Sequence, residues 1–255
     1  MVRPNKVKAL LKAGQPSVGA WMNFASVVEA EALASIGWDW VCLDVQHTGV
    51  DLETCQNIFL AIGANGTIPF ARVPGIEPIS IGRLLDAGAY GVIVPMVNSA
   101  KDAELAVKAT KFAPVGIRSS GAGRAAYWAG PDYTRYANDE IAVIVMIEHI
   151  EGVEHVEEIL SVPGVDGCFI GPWDLALSMG VAFDQGGHDP KHIAAVARVL
   201  ETAQKLKVPA GIHCSGPEEV NARIEAGFQF LACQNDSSWM LRAARDAFAK
   251  IKRPE

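Results

Sequence analysis

The stretch Cys168-Phe-Ile-Gly-Pro-Trp-Asp174-Leu-Ala-Leu-Ser178 decides the fold of this chain. An apolar run stops at Gly171-Pro172, a carboxylate follows at Asp174, and helix-compatible residues come next. Upstream, the run Val143-Ile-Val-Met-Ile147 leads into Glu148 in the same way. Continuous apolar runs are typical of strands that are buried on both faces of a parallel sheet. Two such strands, each ended by an acid, predict a pair of carboxylates at one edge of the sheet.

Strand-like and helix-like segments alternate along the whole chain. The predicted strands are Val18–Phe24, Trp40–Val45, Ile68–Val73, Gly91–Val97, Val143–Ile147, Gly167–Ile170, Ala210–Cys214 and Phe228–Cys233. Helical segments follow them, including Val153–Leu160 and, last, Ser238–Ile251, whereas Pro114–Asp139 reads as a long irregular loop. Roughly eight strand–helix units favour an α/β fold, a (β/α)8 TIM barrel, formed as a single domain over residues 1–255. A doubly wound open sheet is the alternative, but no Gly-x-Gly-x-x-Gly follows the first strand.

Composition and charge narrow the class of protein. Half of the 255 residues are hydrophobic and the net charge is −7 without a basic cluster, which argues against a nucleic-acid partner. No apolar run reaches the ~18 residues of a membrane helix, and no signal-type apolar block follows the N-terminus. The five cysteines are widely spaced and form no Cys-x-x-Cys pair. Four of them lie in predicted strands, and these four are predicted to be reduced core residues, which indicates a cytoplasmic protein.

Polar residues that follow the predicted strands are candidate site residues, because active sites of such barrels lie at the carboxyl ends of the strands. They are Asn23, Asp44, Gln46, His47, Arg72, Asn98, Glu148, His149, Asp174, His213, Ser215, Gln234, Asn235 and Asp236. The set contains no lysine, which argues against Schiff-base chemistry. Two carboxylates suit Mg2+ or Mn2+. Arg72 suits an anionic oxygen, and His47 is the natural general base.

Structural roles are the alternative for each of these residues taken singly. Glu148 or Asp174 could pair with an arginine or cap a helix, and His47 could be an ordinary surface or core histidine. We expect His149 and His155 to be structural, Trp21, Trp38 and Trp40 to be core residues, and His213 to be either structural or in contact with a ligand. Taken together, two acids, a histidine and an arginine on sister strands favour a catalytic metal site.

Seven short motifs follow one another along the chain. They are Leu43-Asp44-Val-Gln-His47, Phe70-Ala-Arg72-Val-Pro74, Arg83-Leu-Leu-Asp86-Ala-Gly88, Val94-Pro-Met-Val97, Gly116-Ile-Arg118, Ile147-Glu148 and Ile170-Gly-Pro-Trp-Asp174-Leu. From about Gly19 to Ala249 the chain resembles the HpcH/HpaI family of metal-dependent class II pyruvate aldolases. The resemblance implies a barrel of the phosphoenolpyruvate/pyruvate type. It also implies reversible cleavage of a 4-hydroxy-2-oxo acid, such as a 2-keto-3-deoxy sugar acid or a dihydroxyheptenedioate, to pyruvate or a relative and an aldehyde.

The resemblance also implies individual roles. Glu148 and Asp174 would be the metal ligands for Mg2+ or Mn2+, with Co2+ or Zn2+ as further options and no organic cofactor. His47 would be the base, directly or through a metal-bound water, and Asp44 would orient it or a water. Arg72 would stabilise the enolate.

The same resemblance implies an assembly. It predicts a homohexamer, a trimer of dimers, with the C-terminal helix at about 238–251 exchanged between neighbours. Asp86 would raise the basicity of the histidine across a subunit interface, since a carboxylate beside an imidazole favours its protonated form.

The chain departs from the family pattern at four positions near the site. Gln46 stands in place of a glutamate, Met146 in place of a substrate-binding glutamine, Trp173 in place of a small residue and Ala176 in place of a serine. The backbone at Trp173 and Asp174 would contact the substrate carboxylate. Because Met146 cannot donate a hydrogen bond, a larger donor such as hydroxypyruvate joins pyruvate as an expectation.

Two other functions remain open at the level of sequence. A malyl-CoA or citramalyl-CoA type of lyase could use the same barrel and metal pair, but it would need a basic groove for CoA. The clustered candidates for that groove are Arg118, Arg124 and Arg135. A non-catalytic metal-binding or scaffolding barrel is the other alternative.

Overall fold

The computed structural model describes residues 2–121, 123–182 and 187–252. Eight parallel strands close into a barrel in chain order. They are β1 Ser17–Met22, β2 Trp40–Asp44, β3 Ile68–Arg72, β4 Gly91–Val94, β5 Ala142–Ile147, β6 Gly167–Ile170, β7 Ala210–Cys214 and β8 Phe230–Asn235. The predicted (β/α)8 barrel is confirmed, and the doubly wound sheet is excluded by the pairing of β1 with β8.

Helices alternate with these strands around the outside of the barrel. They are α1 Lys6–Lys12, α2 Val27–Ser35, α3 Leu52–Ala64, α4 Pro78–Ala87, α5 Ala100–Thr110, α6 Gly123–Ala129, α7 Tyr133–Glu140, α8 Ile150–Glu154, α9 Val156–Leu160, α10 Pro172–Ser178, α11 Pro190–Leu206, α12 Pro217–Glu225 and α13 Asp236–Ala249. None of these helices is long and apolar enough to cross a membrane.

Four predictions about local structure need correction. The stretch Pro114–Asp139 is not wholly irregular, because it carries α6 and most of α7, which are separated at Gly130-Pro131. The predicted helix Val153–Leu160 is interrupted at His155, the boundary of α8 and α9. β4 stops at Val94 instead of Val97. Pro95 has no N–H for the ladder, and Met96 adopts a positive φ of 54°. β8 begins at Phe230 and runs on to Asn235, which caps α13.

An aromatic layer fills the barrel interior. Trp40 stacks on Phe230 with ring centroids 4.3 Å apart, and Phe70 and Phe169 pack against Phe230 at 5.4 and 5.8 Å. These four side chains are almost wholly buried. Side chains of parallel barrel strands point inward at alternate positions. The residues two positions further along each strand therefore lie above this layer, at the carboxyl ends.

Three charged side chains lie together at the opposite end of the barrel. They are the buried Lys8 and Lys111 and the partly buried Asp166, which we call the amino-end cluster. Lys8 Nζ lies 2.9 Å from Asp166 Oδ1, and both lysines donate to the carbonyl of Ile141, at 3.2 and 3.0 Å. Asp166 Oδ2 accepts from the backbone of Val143 at 2.9 Å. Burial lowers the pKa of Lys111 to about 8. Every charge in this cluster thus has a partner within the chain.

The cysteines confirm one prediction from the sequence. All five are free and buried. They contribute to the core as small apolar side chains.

Candidate active site

A cavity of about 800 Å³ opens at the carboxyl ends of the strands, above the aromatic layer. Five residues predicted for the metal, the enolate and the substrate line it, namely Arg72, Met146, Glu148, Trp173 and Asp174. They come from the ends of two strands, β3 and β5, and from the first turn of α10. The other strand-end candidates that line the cavity are Asn23, His213, Ser215, Gln234 and Asn235. The sequence prediction that these strand ends converge on one point is therefore borne out in the geometry.

Glu148 follows β5 directly and is 2% exposed. Its Oε1 accepts a hydrogen bond from the backbone N–H of Met96 at 2.8 Å. Within the described residues its Oε2 has no hydrogen-bond partner. Burial raises the pKa of Glu148 above its usual value, the hydrogen bond from Met96 opposes this shift, and the negative charge of Asp174 adds to it. A buried carboxylate oxygen without a partner is unfavourable, so this oxygen needs a proton or a cation.

Gly171 makes the room around that oxygen. A Cβ at position 171 would lie 2.6 Å from Glu148 Oε2, closer than side-chain atoms approach. Pro172 then occupies the first position of α10, where its missing N–H is not needed. Asp174 follows in the first turn, exposed to the cavity. The segment that decided the fold prediction thus places one carboxylate beside the unpaired oxygen of another.

The donor set at this point fits a hard divalent cation. Two carboxylates, one of them buried with an unpaired oxygen, suit Mg2+ or Mn2+, which bind through few protein oxygens and retain waters. Among the residues that the structure describes, no group of three or more His, Cys, Asp or Glu side chains is arranged to hold a metal ion. Glu148 and Asp174 would therefore be a partial ligand set, completed by water or substrate.

Arg72 is held in place by Asp44. The two residues are register partners on β3 and β2. Arg72 Nε lies 3.0 Å from Asp44 Oδ1, and Nη2 lies 2.5 Å from Oδ2. Burial alone would raise the pKa of Asp44, but the hydrogen bonds and charge of Arg72 outweigh it and hold that pKa below its usual value. The guanidinium carbon also lies 5.1 Å from the centre of the Trp21 ring. Arg72 therefore presents a fixed positive group to the cavity.

Asp44 also organises the start of the loop that carries His47. Its Oδ1 accepts from the backbone N–H groups of Gln46 and His47 at 3.1 and 3.2 Å, and Asn23 donates to its Oδ2 at 3.2 Å. The imidazole of His47 is exposed and is not among the groups that line the cavity of the single chain.

Asp86 and His47 do not meet within the described part of one chain. Asp86 lies on α4 and accepts from Arg118 Nη2 at 2.6 Å. The pairing of His47 with Asp86 that the family resemblance implies would need a second copy of the chain.

Some residues of the site were not predicted. Trp21 is buried as expected for a core residue, but its ring also lines the cavity and stacks on Phe169 with centroids 5.6 Å apart. Asp236, by contrast, was one of the predicted strand-end candidates. It accepts from the backbone of Asn23 and Phe24 at 2.9 to 3.0 Å and ties the segment after β1 to the start of α13. His192 on α11 is buried, with Nε2 lying 2.9 Å from the carbonyl oxygen of Pro172. The position of Asp236 directly after an apolar run was a usable signal, whereas His192 gave none.

The arginines considered for a CoA groove are mostly engaged in the fold. Arg118 is 6% exposed and is bonded to Asp86 and to the hydroxyl of Tyr133. Arg124 donates to the carbonyl of Ala87 at 3.2 Å. These two side chains close the packing of α4 on the segment that follows α5, so they do not form an open basic groove.

Known proteins resemble this chain in both sequence and structure. Residues 17–243 match the model of the HpcH/HpaI aldolase/citrate lyase family. A hydroxypyruvate/pyruvate aldolase of Rhizorhabdus wittichii is 36% identical over 248 residues, which cover 97% of this chain and 99% of that protein. A 4-hydroxy-2-oxo-heptane-1,7-dioate aldolase of Klebsiella pneumoniae is 37% identical over 254 residues, with 97% and 94% covered. The crystal structure of a protein from Burkholderia cenocepacia superposes with a TM-score of 0.90 at 37% identity, covering 96% of this chain and 98% of that one.

Proposed function

This chain belongs to the HpcH/HpaI aldolase/citrate lyase family, and we propose that it is an aldolase, a carbon–carbon lyase. Its substrate would be a 4-hydroxy-2-oxo acid, cleaved reversibly to pyruvate or hydroxypyruvate and an aldehyde in a metal-dependent reaction. Relatives that align over nearly the whole chain carry the names of such aldolases. The observation that carries the proposal is the unpaired, buried Oε2 of Glu148, which shares one cavity with Asp174 and Arg72.

Glu148 and Asp174 would hold the divalent cation, with Mg2+ and Mn2+ favoured by the oxygen-only donor set and Co2+ or Zn2+ as further options. When bound, such an ion supplies Lewis-acid polarisation of the 2-oxo group. The proposal involves no organic cofactor.

Arg72 would stabilise the enolate. Asp44 engages Nε and Nη2 of its guanidinium, and further N–H groups of the planar fork remain for an anionic oxygen. Because the Asp44 pair fixes the guanidinium beforehand, little reorganisation is needed when negative charge develops on the substrate. Burial of the pair in the barrel mouth strengthens this interaction.

Proton transfer would fall to His47. In the cleavage direction the base removes the proton of the 4-hydroxyl group, and the C3–C4 bond breaks. Its electron pair forms the enolate of the 2-oxo acid, and the aldehyde leaves. The enolate is then protonated at C3. An imidazole titrates near neutral pH and can serve in both steps. The backbone N–H groups at Trp173 and Asp174, in the first turn of α10, would bind the substrate carboxylate.

The assembly that completes the site is proposed to be a homohexamer, a trimer of dimers. The C-terminal segment supports this proposal, because Leu241 and Phe248 of α13 and Ile251 just after it are 45%, 61% and 58% exposed. Exposed apolar patches of this kind are typical of interaction sites. Exchange of this helix, at about 238–251, between neighbours would bury them. Contact between copies would also bring an Asp86 to a His47. We place the protein in the cytoplasm, without a membrane or nucleic-acid partner.

The test is proton exchange at C3 of pyruvate in deuterated buffer with a panel of metal ions. Loss of the methyl signal in the NMR spectrum reports enolate formation without knowledge of the aldehyde. We expect exchange that depends on Mg2+ or Mn2+ and stops in EDTA. Full exchange in EDTA would refute the metal-dependent mechanism, and no exchange with any metal would favour a non-catalytic barrel.

A further inference from the structure

One histidine on the cavity wall has no role in the proposed mechanism. His213 is the fourth residue of β7 and lies edge-on to Trp21, with ring centroids 5.6 Å apart at 70°. It lines the same cavity as Glu148 and Arg72. Within the described residues, neither of its ring nitrogens takes part in a hydrogen bond.

The position of His213 follows from the alternation of β7. Gly211, two residues earlier, lies between the neighbouring strands, where a Cβ would meet the carbonyl oxygens of Phe230 and Cys168 and, at 3.0 Å, the ring of Phe169 in the interior. His213 faces the same way one step higher, so its ring lies directly above the aromatic layer. It is therefore at the inner end of the cavity, next to Trp21, against which the guanidinium of Arg72 also packs.

The surroundings keep His213 neutral. Burial lowers its pKa to about 4, and the positive charge of Arg72 adds to this shift. The negative charges of Glu219 and Asp44 oppose it more weakly. A neutral imidazole has one nitrogen that donates and one that accepts a hydrogen bond. Because His213 is partly exposed to the cavity, its ring can meet a ligand group that both accepts and donates a hydrogen bond.

We propose that His213 binds a hydroxyl group on C3 of the donor, so that the enzyme prefers hydroxypyruvate to pyruvate. The inference rests on the proposed aldolase function and deepens it. A hydroxyl group both donates and accepts, which matches a neutral imidazole, whereas the methyl group of pyruvate offers it nothing. His213 and Arg72 flank the same tryptophan, so His213 faces the donor that Arg72 would bind. The outer rim of the cavity, where Ser238 and Arg242 lie, remains for the aldehyde.

The experiment compares C3 proton exchange of hydroxypyruvate and pyruvate in four proteins with Mg2+ or Mn2+. They are the unaltered chain, His213→Phe, His213→Asn and a control, His155→Asn. Phenylalanine keeps the ring contact with Trp21 but loses both nitrogens. We expect His213→Phe to lower kcat/KM for hydroxypyruvate about tenfold, as for the loss of one hydrogen bond, and that for pyruvate less than about twofold. His213→Asn should retain part of the preference, and His155→Asn all of it.

Binding provides an independent readout. Calorimetric titration of the metal-loaded proteins should show weaker hydroxypyruvate binding by His213→Phe and unchanged pyruvate binding. Equal losses for both donors, or no loss for either, would overturn the role of His213 while leaving the aldolase intact. If His213→Phe does not fold, the same comparison in His213→Asn decides. Absence of exchange with both donors in the unaltered chain would overturn the proposed function and this inference with it.

Discussion

The two ends of the barrel both bury charged side chains, but they do so differently. In the amino-end cluster, Lys8, Lys111 and Asp166 are paired with each other or with backbone groups. At the carboxyl end, Glu148 is buried as well, yet one of its oxygens has no partner among the described residues. Buried charges that are paired can be held within the chain, whereas an unpaired one calls for a partner from outside it. The difference supports the proposal that the carboxyl end of the barrel binds a cation.

The carboxyl end also contains both a paired and an incompletely paired buried carboxylate. Asp44 and Glu148 are both buried carboxylates, yet the pKa of Asp44 is lowered and that of Glu148 is raised. Arg72 accounts for the first shift because it bonds both oxygens of Asp44. Glu148 receives one backbone hydrogen bond and the repulsion of Asp174 instead. Neighbouring carboxylates with opposite shifts are typical of sites where one acid orients a group and the other binds or reacts.

Removing the charge of Glu148 should have the largest effect on activity. Glu148→Gln is expected to lower metal-dependent C3 exchange by at least about a thousandfold, because one of two metal ligands becomes neutral. It should not lower the free energy of unfolding without metal, since it removes an uncompensated buried acid. NMR exchange rates and urea titration measure the two effects. Asp166→Asn is the matched control at the opposite end, and equal activity losses in the two variants would contradict the comparison.

Removing the charge of Asp44, the paired acid at the carboxyl end, should lower both the rate of C3 exchange and the stability of the fold. Asp44→Asn leaves Arg72 without its counter-charge, so we expect exchange to fall about a hundredfold. The free energy of unfolding should fall by about 3 kcal/mol, as for removal of one partner of a buried ion pair. Steady-state exchange and urea unfolding measure the two quantities. Unchanged stability would show that the Arg72–Asp44 pair is not a fixed part of the site.

Breaking the pair at the amino end should affect stability alone. Asp166→Asn removes the counter-charge of Lys8, and we expect a loss of about 2 kcal/mol in the free energy of unfolding. The rate of C3 exchange at saturating metal should remain within about twofold, because the cluster lies at the far end of the barrel from the cavity. A large loss of exchange in a folded variant would show that the two ends are coupled.

The last expected effect, confined to alkaline pH, is a pH dependence of stability from Lys111. Its pKa is lowered to about 8 in the fold from 10.5, so the unfolded chain binds more protons between these values. The penalty for burying the charge is complete below pH 8 and is relieved as the pH rises towards 10.5. We expect the free energy of unfolding to rise by about 2 kcal/mol between pH 7.5 and 10, a gain that Lys111→Met lacks. Parallel urea midpoints for both proteins would contradict this assignment.

The sequence predicted the barrel and the main members of its site because both depend on local patterns. Apolar runs ending in polar residues marked the strands, and closure of the barrel brings their ends together, so Glu148, Asp174 and Arg72 converge. The Arg72–Asp44 pair depends on the register between β2 and β3, which no local pattern gives. The helices within 114–139 were missed because Gly116, Gly121 and Gly130 suggested a loop. The proposed pairing of His47 with Asp86 depends on a second copy, so it remains a prediction.

Trp21 was predicted only as a core residue, although its ring also lines the cavity. A residue on the inward face just above the aromatic layer is buried from outside and yet exposed to the cavity. Its apolar character predicts only the first property. His213 has the corresponding position on β7. Because its ring nitrogens can bond either the protein or a ligand, the sequence left both a structural and a ligand-binding role open.

The central claim is that Glu148 and Asp174 form a divalent cation site. Electron paramagnetic resonance of free Mn2+ during titration of the protein measures binding directly and independently of any reaction. We predict about one Mn2+ bound per chain in the unaltered protein, with binding lost in Glu148→Gln and kept in Asp166→Asn. Equal Mn2+ binding by the unaltered protein and Glu148→Gln would contradict the account.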